Sequence, residues 1–363
     1  MKVTIVAGAR PNFMKIAPII KAIHVAKENG SNIHYRLVHT GQHYDHKMSA
    51  AFFDELGIPE PDNNLECGGG SQAEQTAAIM VKFEKELELN RPDVVLVVGD
   101  VTSTMACTIT AKKLNIDAVH VEAGIRSGDM TMPEEINRIL TDAICDKYFT
   151  TSSFANENLL SQKIDEKRIH FVGNTMIDTL YQNLNKLKLP TIWEEKKLQE
   201  KGYFLLTLHR PSNVDEPQKL AEILEVIIKA SDGTPIVFPI HPRTQKIINS
   251  FSIDTSRLIT ISAQPYLEFI FLIKNAKGII TDSGGITEEA TVLNIPCITM
   301  RNTTERPETI IEGTNELAGD NYIKLNRYID KINHGKWKSG NIPALWDGHT
   351  SERIVNILLD TYQ

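Results

Sequence analysis

At 363 residues the chain is long enough for about two domains of ordinary size, each with a core of its own. Its 41% hydrophobic and 23% charged residues exclude a disordered, collagen-like or coiled-coil protein. Lys and Arg number 39 against 46 Asp and Glu, a formal net charge of -7, which excludes a broad basic surface for nucleic acid or an anionic membrane. An anionic ligand must therefore be met by local cations.

Short apolar runs alternate with helical periods almost throughout, the signature of βαβ units and parallel sheets, so the fold class is α/β. In chain order the first half predicts strands over Lys2–Ala7, His34–Thr40, Asp93–Gly99, Ala118–Glu122, Lys147–Thr151 and Arg168–Val172. Helices are predicted over Lys15–Asn29, Ser71–Asn90, Ser103–Asn115 and Pro133–Cys145, the last with a proline where a first turn tolerates it. The turn Gly173-Asn174 closes this series, and Thr175–Lys201 reads as helix and linker. A second series follows the charged stretch Trp193–Gly202: Tyr203–Leu208, Pro235–Pro239, Arg257–Ser262, Gly278–Thr281 and Cys297–Met300. His349–Tyr362 predicts a closing amphipathic helix with Ile354, Ile357, Leu358 and Thr361 on one face.

This pattern implies two doubly wound domains, residues 1–174 joined by the helix at 349–363, and residues 175–348. The longest apolar runs, such as Val94–Val98, fall far short of the roughly 18 residues of a spanning helix. The apolar start Met1–Val6 is too short for a signal peptide, so a cytoplasmic protein is expected. Cys67, Cys107, Cys145 and Cys297 lack metal-type spacing and are expected to be buried reduced thiols.

In open parallel sheets ligands bind beyond the carboxyl ends of strands. Unusual polar residues stand there repeatedly: Arg10, Pro11, Asn12 and Lys15 after the first strand, Gly41-Gln42-His43 after the second, Gly99-Asp100 and Glu122 to Arg126 later. The second half adds His209-Arg210-Pro211, His241-Pro242-Arg243, Asp282-Ser283-Gly284-Gly285 and the segment Arg301 to Arg306. Contributions from both halves imply a ligand in an interdomain cleft. The first loop has a single Gly8, not G-x-G-x-x-G, and a Walker loop, G-x-S-x-G and H-E-x-x-H are all missing. A dinucleotide cofactor, a serine nucleophile and a metal are therefore not indicated.

Ser283, Gly284 and Gly285 open a helix after a strand, an arrangement that lets a diphosphate approach free N–H groups and the helix dipole. Glu289, one turn on, could accept from ribose hydroxyls. Arg10, Lys15 and Arg306 are the local cations that such a ligand needs. Asp100, Glu122, Glu134 and His209 are titratable groups at or near strand ends, suited to proton transfer. For Glu134 and Glu135 the plainer reading is an acidic first turn.

The ordered motifs Gly8 to Lys15, Gly41 to Asp45, Gly99-Asp100, His120 to Arg126, Pro133 to Arg138, Gly173 to Asp178, Leu208 to Arg210, His241-Pro242, Asp282 to Ile286 and Thr303 to Glu308 have the order and spacing of one family. The chain resembles the non-hydrolysing UDP-N-acetylglucosamine 2-epimerases over essentially its whole length. The resemblance implies two Rossmann-like domains in the glycosyltransferase-B arrangement, a C-terminal helix returning to the N-terminal domain, and a homodimer. It implies reversible inversion at C2 through removal of the C2 proton, elimination of UDP to a 2-acetamidoglucal and re-addition, with no cofactor and no metal. UDP-N-acetylmannosamine for surface polysaccharide would be the product.

Position by position, the resemblance assigns Arg10 and Lys15 to the nucleotide-sugar site and Gln264 and Phe269 to uracil. It assigns Ser283, Gly284 and Gly285 to the diphosphate, Glu289 to the ribose and Arg306 to a phosphate. Asp100, Glu122 and Glu134 match acids of proton transfer, and His209 and Arg138 match residues implicated in catalysis. Gln42 and His43 match a loop that binds a second, activating substrate molecule in some members. The expected nearby arginine is replaced by Cys67-Gly68-Gly69-Gly70-Ser71, which argues against that regulation. Alternatives in the same sequence space are a hydrolysing relative, an epimerase of a modified UDP-amino sugar, a glycosyltransferase of the same fold and a non-catalytic nucleotide-sugar sensor.

Overall fold

A computed structural model describes residues 1–41, 53, 55–240, 242–249 and 256–362; Gln42, His43 and His241 lie outside them. Two units separate, Met1–Gln182 with Ala344–Gln363, and Asn183–Pro343. The division falls one helix beyond the 174/175 boundary expected from the turn at Gly173, because helix Thr175–Asn183 bonds to the first unit through Thr179, whose hydroxyl donates to the Met14 carbonyl at 2.5 Å.

The first unit holds strands β1 (Lys2–Ala7), β2 (His34–His39), β3 (Asn63–Asn64), β4 (Val94–Val98), β5 (Asp117–Val121), β6 (Lys147–Thr150) and β7 (Ile169–Phe171). They form one parallel sheet ordered β3-β2-β1-β4-β5-β6-β7. The Val94–Val98 run is buried throughout, as a central parallel strand covered on both faces requires. Helices α1 (Arg10–Glu28), α2 (Gln72–Leu89), α3 (Thr102–Lys113), α4 (Pro133–Ile144) and α5 (Ser153–Ser161) make the crossovers. Helix α1 starts earlier than the Lys15 expected. Asn12 reaches back, its Oδ1 accepting from the N–H groups of Gly8 at 3.0 Å and Ala9 at 2.9 Å, and Pro11 is preset for a first turn. Helix α2 is capped reciprocally by Ser71 and Glu74, as S-x-x-E spacing predicts.

Helix α4 is turned inside out. Glu135, Asn137, Arg138, Thr141 and Asp142 are buried, while Ile136, Leu140 and Ile144 are 42%, 42% and 36% exposed. These three lie at i, i+4 and i+8, so they form one apolar stripe on the outer face.

The second unit has β8 (Phe204–Thr207), β9 (Ile236–Pro239), β10 (Leu258–Ile261), β11 (Gly278–Thr281), β12 (Cys297–Thr299) and β13 (Asn315–Leu317), again parallel, ordered β10-β9-β8-β11-β12-β13. Phe204, Leu206, Ile236, Phe238, Ile280 and Ile298 share a core with Leu220, Ile223, Leu224 and Ile227 of Pro217–Ala230, whose spacing is that of one helix face. Each such side chain contributes about 1.5–3 kcal/mol on full burial. Each sheet is doubly wound, and its order reverses once, between β1 and β4 and between β8 and β11. All four cysteines are buried thiols. Among the described residues no helix is long and apolar enough to cross a membrane.

The C-terminal helix Thr350–Tyr362 packs on the first unit with Ile354, Val355 and Leu358 buried; Ile357 is half-buried and Thr361 exposed, so the inner face is rotated from the one predicted. Its first turn is capped from a distance by buried Asp178, which accepts from the N–H groups of Thr350 at 3.1 Å and Ser351 at 2.7 Å. At Gly173, with φ +101°, a Cβ would lie 2.1 Å from the Leu345 carbonyl oxygen, so only glycine lets the returning chain this close. Replacing Asp178 by Ala leaves two buried donors unmet and is expected to cost about 1–3 kcal/mol. Thermal melting and hydrogen exchange of residues 350–362 check this; unchanged exchange there would rule out the capping role.

Candidate active site

In the first unit the polar residues gather where β1, β4 and β5 end. Lys15, one turn into α1, lies with its Nζ 2.6 Å from Glu122 Oε2, and the Glu122 side chain is 3% exposed. Glu122 follows β5 with φ +70°, a left-handed angle that costs a residue with a Cβ roughly 1–2 kcal/mol. Its N–H and that of Ala123 donate to the Phe149 carbonyl at 3.0 and 3.1 Å, which holds the turn. Beneath the pair sits Gly99, φ +71°, where a Cβ would come within 3.1 Å of Lys15 Nζ and 4.0 Å of Glu122 Oε2.

Asp100 continues from Gly99, and its Oδ2 accepts from Arg138 Nη2 at 2.6 Å and Nε at 3.0 Å. Asn137 donates to the Asp100 carbonyl at 2.8 Å. Arg138 also holds Glu135 at 2.8 Å, and Glu135 accepts from the N–H groups of Ser127 and Gly128. Burial pushes the Glu135 carboxyl up, but these hydrogen bonds outweigh it and hold it below the ordinary range. Of the acidic pair in the first turn of α4, it is thus Glu135 that is clamped in the interior, while Glu134 is half-buried. Arg10, the first residue of α1, is exposed.

In the second unit the corresponding edge is built on Asp282, fully buried after β11. Its carboxylate accepts from the N–H groups of His209 at 3.1 Å and Arg210 at 3.0 Å and from Asn213 Nδ2 at 3.0 Å, and lies 2.6 Å from His209 Nδ1. Burial raises the Asp282 carboxyl, and the His209, Asn213 and Arg210 contacts more than reverse this. The imidazole of His209 is oriented by a buried anion while its side chain remains 63% exposed. The motif Asp282 to Ile286 does not by itself assign Asp282 a role; a strand-end acid followed by a glycine loop is the only signal of it in the sequence.

Helix Gly284–Val292 starts directly after Ser283, and a Cβ on Gly284 would meet nothing within 4 Å. The fold does not need glycine at 284, so the open space above it suits a ligand that comes close to the helix N-terminus. Glu289 in this helix is buried and accepts from the Tyr266 hydroxyl at 3.2 Å; burial pushes its carboxyl to about 8. Its neighbour Glu288 is buried and paired with Arg306 Nε. Glu308 is 1% exposed, neither carboxyl oxygen has a hydrogen bond from another described residue, and burial pushes it to about 7 despite Arg306. Tyr266 belongs to helix Tyr266–Asn275, preceded by Gln264, whose amide donates to the Ser262 carbonyl at 2.8 Å; Phe269 is half-buried on its first turn. A cavity of about 700 Å³ opens beside His209 at the ends of β8, β9 and β10, with Thr244, Gln245 and Ser262 among its polar lining residues.

Within the first unit, then, Lys15, Glu122, Asp100 and Arg138 meet around Gly99. Within the second, His209 joins the loop carrying Ser283, Gly284 and Gly285 through Asp282, and Arg306 joins Glu289's neighbour. Both clusters flank the point where the strand order reverses. Among the described residues no group of His, Cys, Asp or Glu is placed to hold a metal.

Comparison with known proteins adds the whole-chain likeness. The family model of UDP-N-acetylglucosamine 2-epimerase matches residues 25–359. A UDP-N-acetylglucosamine 2-epimerase of Methanocaldococcus jannaschii is 42% identical over 370 residues, 99% of both chains. The UDP-2,3-diacetamido-2,3-dideoxy-D-glucuronate 2-epimerase of Pseudomonas aeruginosa is 38% identical over 322 residues, 88% of both. The crystal structure of the Methanocaldococcus jannaschii UDP-GlcNAc 2-epimerase in complex with UDP-GlcNAc and UDP superposes with a TM-score of 0.86 at 43% identity, covering 100% of each chain. With strand-end clusters in two doubly wound sheets and a match of this extent, the chain belongs to the UDP-N-acetylglucosamine 2-epimerase family.

Proposed function

We propose that the protein interconverts UDP-N-acetylglucosamine and UDP-N-acetylmannosamine without releasing a free sugar. The observation that carries this reading is the buried Lys15–Glu122 pair at the edge where β1, β4 and β5 end, in a chain of this family. The likeness to a structure holding UDP-GlcNAc and UDP supports the choice of substrate.

In the proposed reaction a carboxylate takes the C2 proton, and the C–H electron pair becomes the C1=C2 bond of a 2-acetamidoglucal. The C1–O pair leaves with UDP. UDP oxygen then adds back to C1 while a second acid delivers a proton to the opposite face of C2. The C2–H bond is weakly acidic, so a base must be held close to it and the departing diphosphate must be stabilised. Asp100, Glu122 and Glu134 supply the proton-transfer groups, with Arg138 fixing Asp100 and His209 assisting. Ser283, Gly284, Gly285 and Arg306 receive the diphosphate, Glu289 the ribose, Gln264 and Phe269 the uracil, and Arg10 and Lys15 complete the nucleotide-sugar contacts. On this reading the unit of residues 1–182 with 344–363 carries Asp100, Glu122 and Glu134, and the unit of residues 183–343 carries most of the UDP contacts. Gln42 and His43 match the regulatory loop of some members, but Cys67 to Ser71 in place of the expected arginine argues against activation by a second substrate molecule.

Burial raises Glu289 to about 8 and Glu308 to about 7, so near pH 7 the first is mostly neutral and the second about half so, which lessens the negative charge an anion would meet in this unit. We place the enzyme in the cytoplasm, where four buried thiols stay reduced and the product serves surface polysaccharide synthesis. We also propose a homodimer, supported by the outward stripe Ile136, Leu140 and Ile144, which a second copy would cover.

Incubation with UDP-GlcNAc alone in D2O should yield UDP-ManNAc carrying deuterium at C2. Unchanged substrate, or free ManNAc with UDP, would overturn the reading. Glu122→Gln should lower turnover by about 100-fold or more while UDP affinity measured by calorimetry stays nearly constant. Folded Glu308 and Glu289 hold protons that the unfolded chain, at the ordinary 4.5, has lost; stability therefore falls as pH rises from about 5 toward 8. Glu308→Gln, mimicking the neutral form, should stabilise at pH 8 by on the order of 2 kcal/mol and have little effect at pH 5. Thermal melts across pH test this, and a pH-independent difference would contradict it. Leu140→Glu should convert the dimer to a monomer by sedimentation analysis; a wild-type monomer, or a dimeric variant, would remove this face from consideration.

A further inference from the structure

Behind the Lys15–Glu122 pair lies a second polar pair that the proposed reaction does not use. His120 on β5 and Asp142 on α4 are both fully buried. His120 Nε2 is 2.8 Å from the Gly99 carbonyl and Nδ1 is 2.6 Å from Asp142 Oδ1. The other Asp142 oxygen accepts from the Gly124 N–H at 3.0 Å and lies 2.7 Å from Arg126 Nη1. Burial drives the Asp142 carboxyl up, and His120 and Arg126 more than reverse this, so it serves as a charged acceptor for all three donors. A carbonyl can only accept, so His120 donates from Nε2 to Gly99.

Each end of this chain of contacts grips a residue next to Glu122. Gly99 is the residue whose α-carbon faces both Lys15 Nζ and Glu122 Oε2, and its N–H is held in turn by the Val121 carbonyl at 3.1 Å. Gly124, φ +77°, completes the left-handed turn that begins at Glu122; a Cβ there would lie 2.3 Å from the Ala155 carbonyl oxygen. A buried ion pair adds little net stability over apolar side chains of the same volume. It does fix geometry, because each partner has one low-energy arrangement in the absence of water.

We propose that His120 and Asp142 are positioning residues for proton transfer at C2: by clamping Gly99 and Gly124 they hold Glu122 in its left-handed conformation with the carboxylate against Lys15. This rests on the reading that Glu122 moves the C2 proton. Asp142→Asn keeps the volume but leaves a single oxygen for three donors. His120→Gln loses the donor to Asp142 and provides a second route should the first variant fold poorly.

The test compares both variants with the wild-type enzyme on UDP-GlcNAc and on the C2-deuterated substrate, with kcat expressed per folded molecule from circular dichroism. A displaced base predicts a kcat lower by about 10- to 100-fold with KM changed by less than about threefold. It also predicts a larger C2 isotope effect than in the wild type, as C–H cleavage becomes more fully limiting. A merely structural pair would lower Tm and the folded fraction yet leave kcat per folded molecule and the isotope effect unchanged, and that result would overturn the proposal. A fall in kcat with an unaltered isotope effect would overturn it as well. Should the wild-type enzyme fail to exchange the C2 proton with D2O, it is the reading of the reaction that fails, and this is seen before any variant is made.

Discussion

Where a strand of a parallel sheet runs out at its carboxyl end, the chain turns, and the neighbouring strand leaves some of the turn's main-chain N–H groups without a partner. In this protein a buried side-chain acceptor meets them. Asn12 serves Gly8 and Ala9, Asp142 serves Gly124, Glu135 serves Ser127 and Gly128, and Asp282 serves His209 and Arg210. An unmet buried donor costs about 1–3 kcal/mol, so each acceptor is strongly coupled to the loop above it. The turn leading into the helix of Lys15 and the loops of Glu122 and His209 are consequently fixed before any ligand arrives, which is what electrostatic preorganisation requires.

The alternation of strands and helices is legible because strands such as Val94–Val98 are continuous apolar runs and helices such as Gln72–Leu89 bury Ile79, Phe83 and Leu87 at helical spacing. Asn63–Asn64 and Asn315–Leu317 are not, since two or three polar-leaning residues make no run; they are defined only by pairing with the edges of His34–His39 and Cys297–Thr299. Helix α1 starts before its apolar period does because Asn12 caps backward, a contact without periodicity. Candidate residues beside glycine or proline at strand ends were easily found. Asp142 was hidden in mid-helix, where an acid on an amphipathic pattern ordinarily faces water; here the helix is inverted, and only the packing reveals it.

The net charge of -7 takes on a different sense once acids are placed. Several contribute no free charge to the sites: Glu122 is matched by Lys15, Glu288 by Arg306 and Asp100 by Arg138. Burial raises Glu289 to about 8 and Glu308 to about 7, so near neutral pH the first is mostly protonated and the second about half so. An anionic ligand thus meets a local field quite unlike the average over the surface.

The left-handed backbone at Glu122 bears on any redesign of this chain. Glycine adopts φ +70° without the steric penalty that glutamate bears, so mutational drift governed by thermostability alone would favour losing the carboxylate from this position. Glutamate here bears a backbone cost that glycine would not, and its carboxylate is held against Lys15. Consensus or stability-guided redesign of this chain should therefore leave residue 122 untouched, because the substitution that relaxes the fold there is also the one that removes the acid.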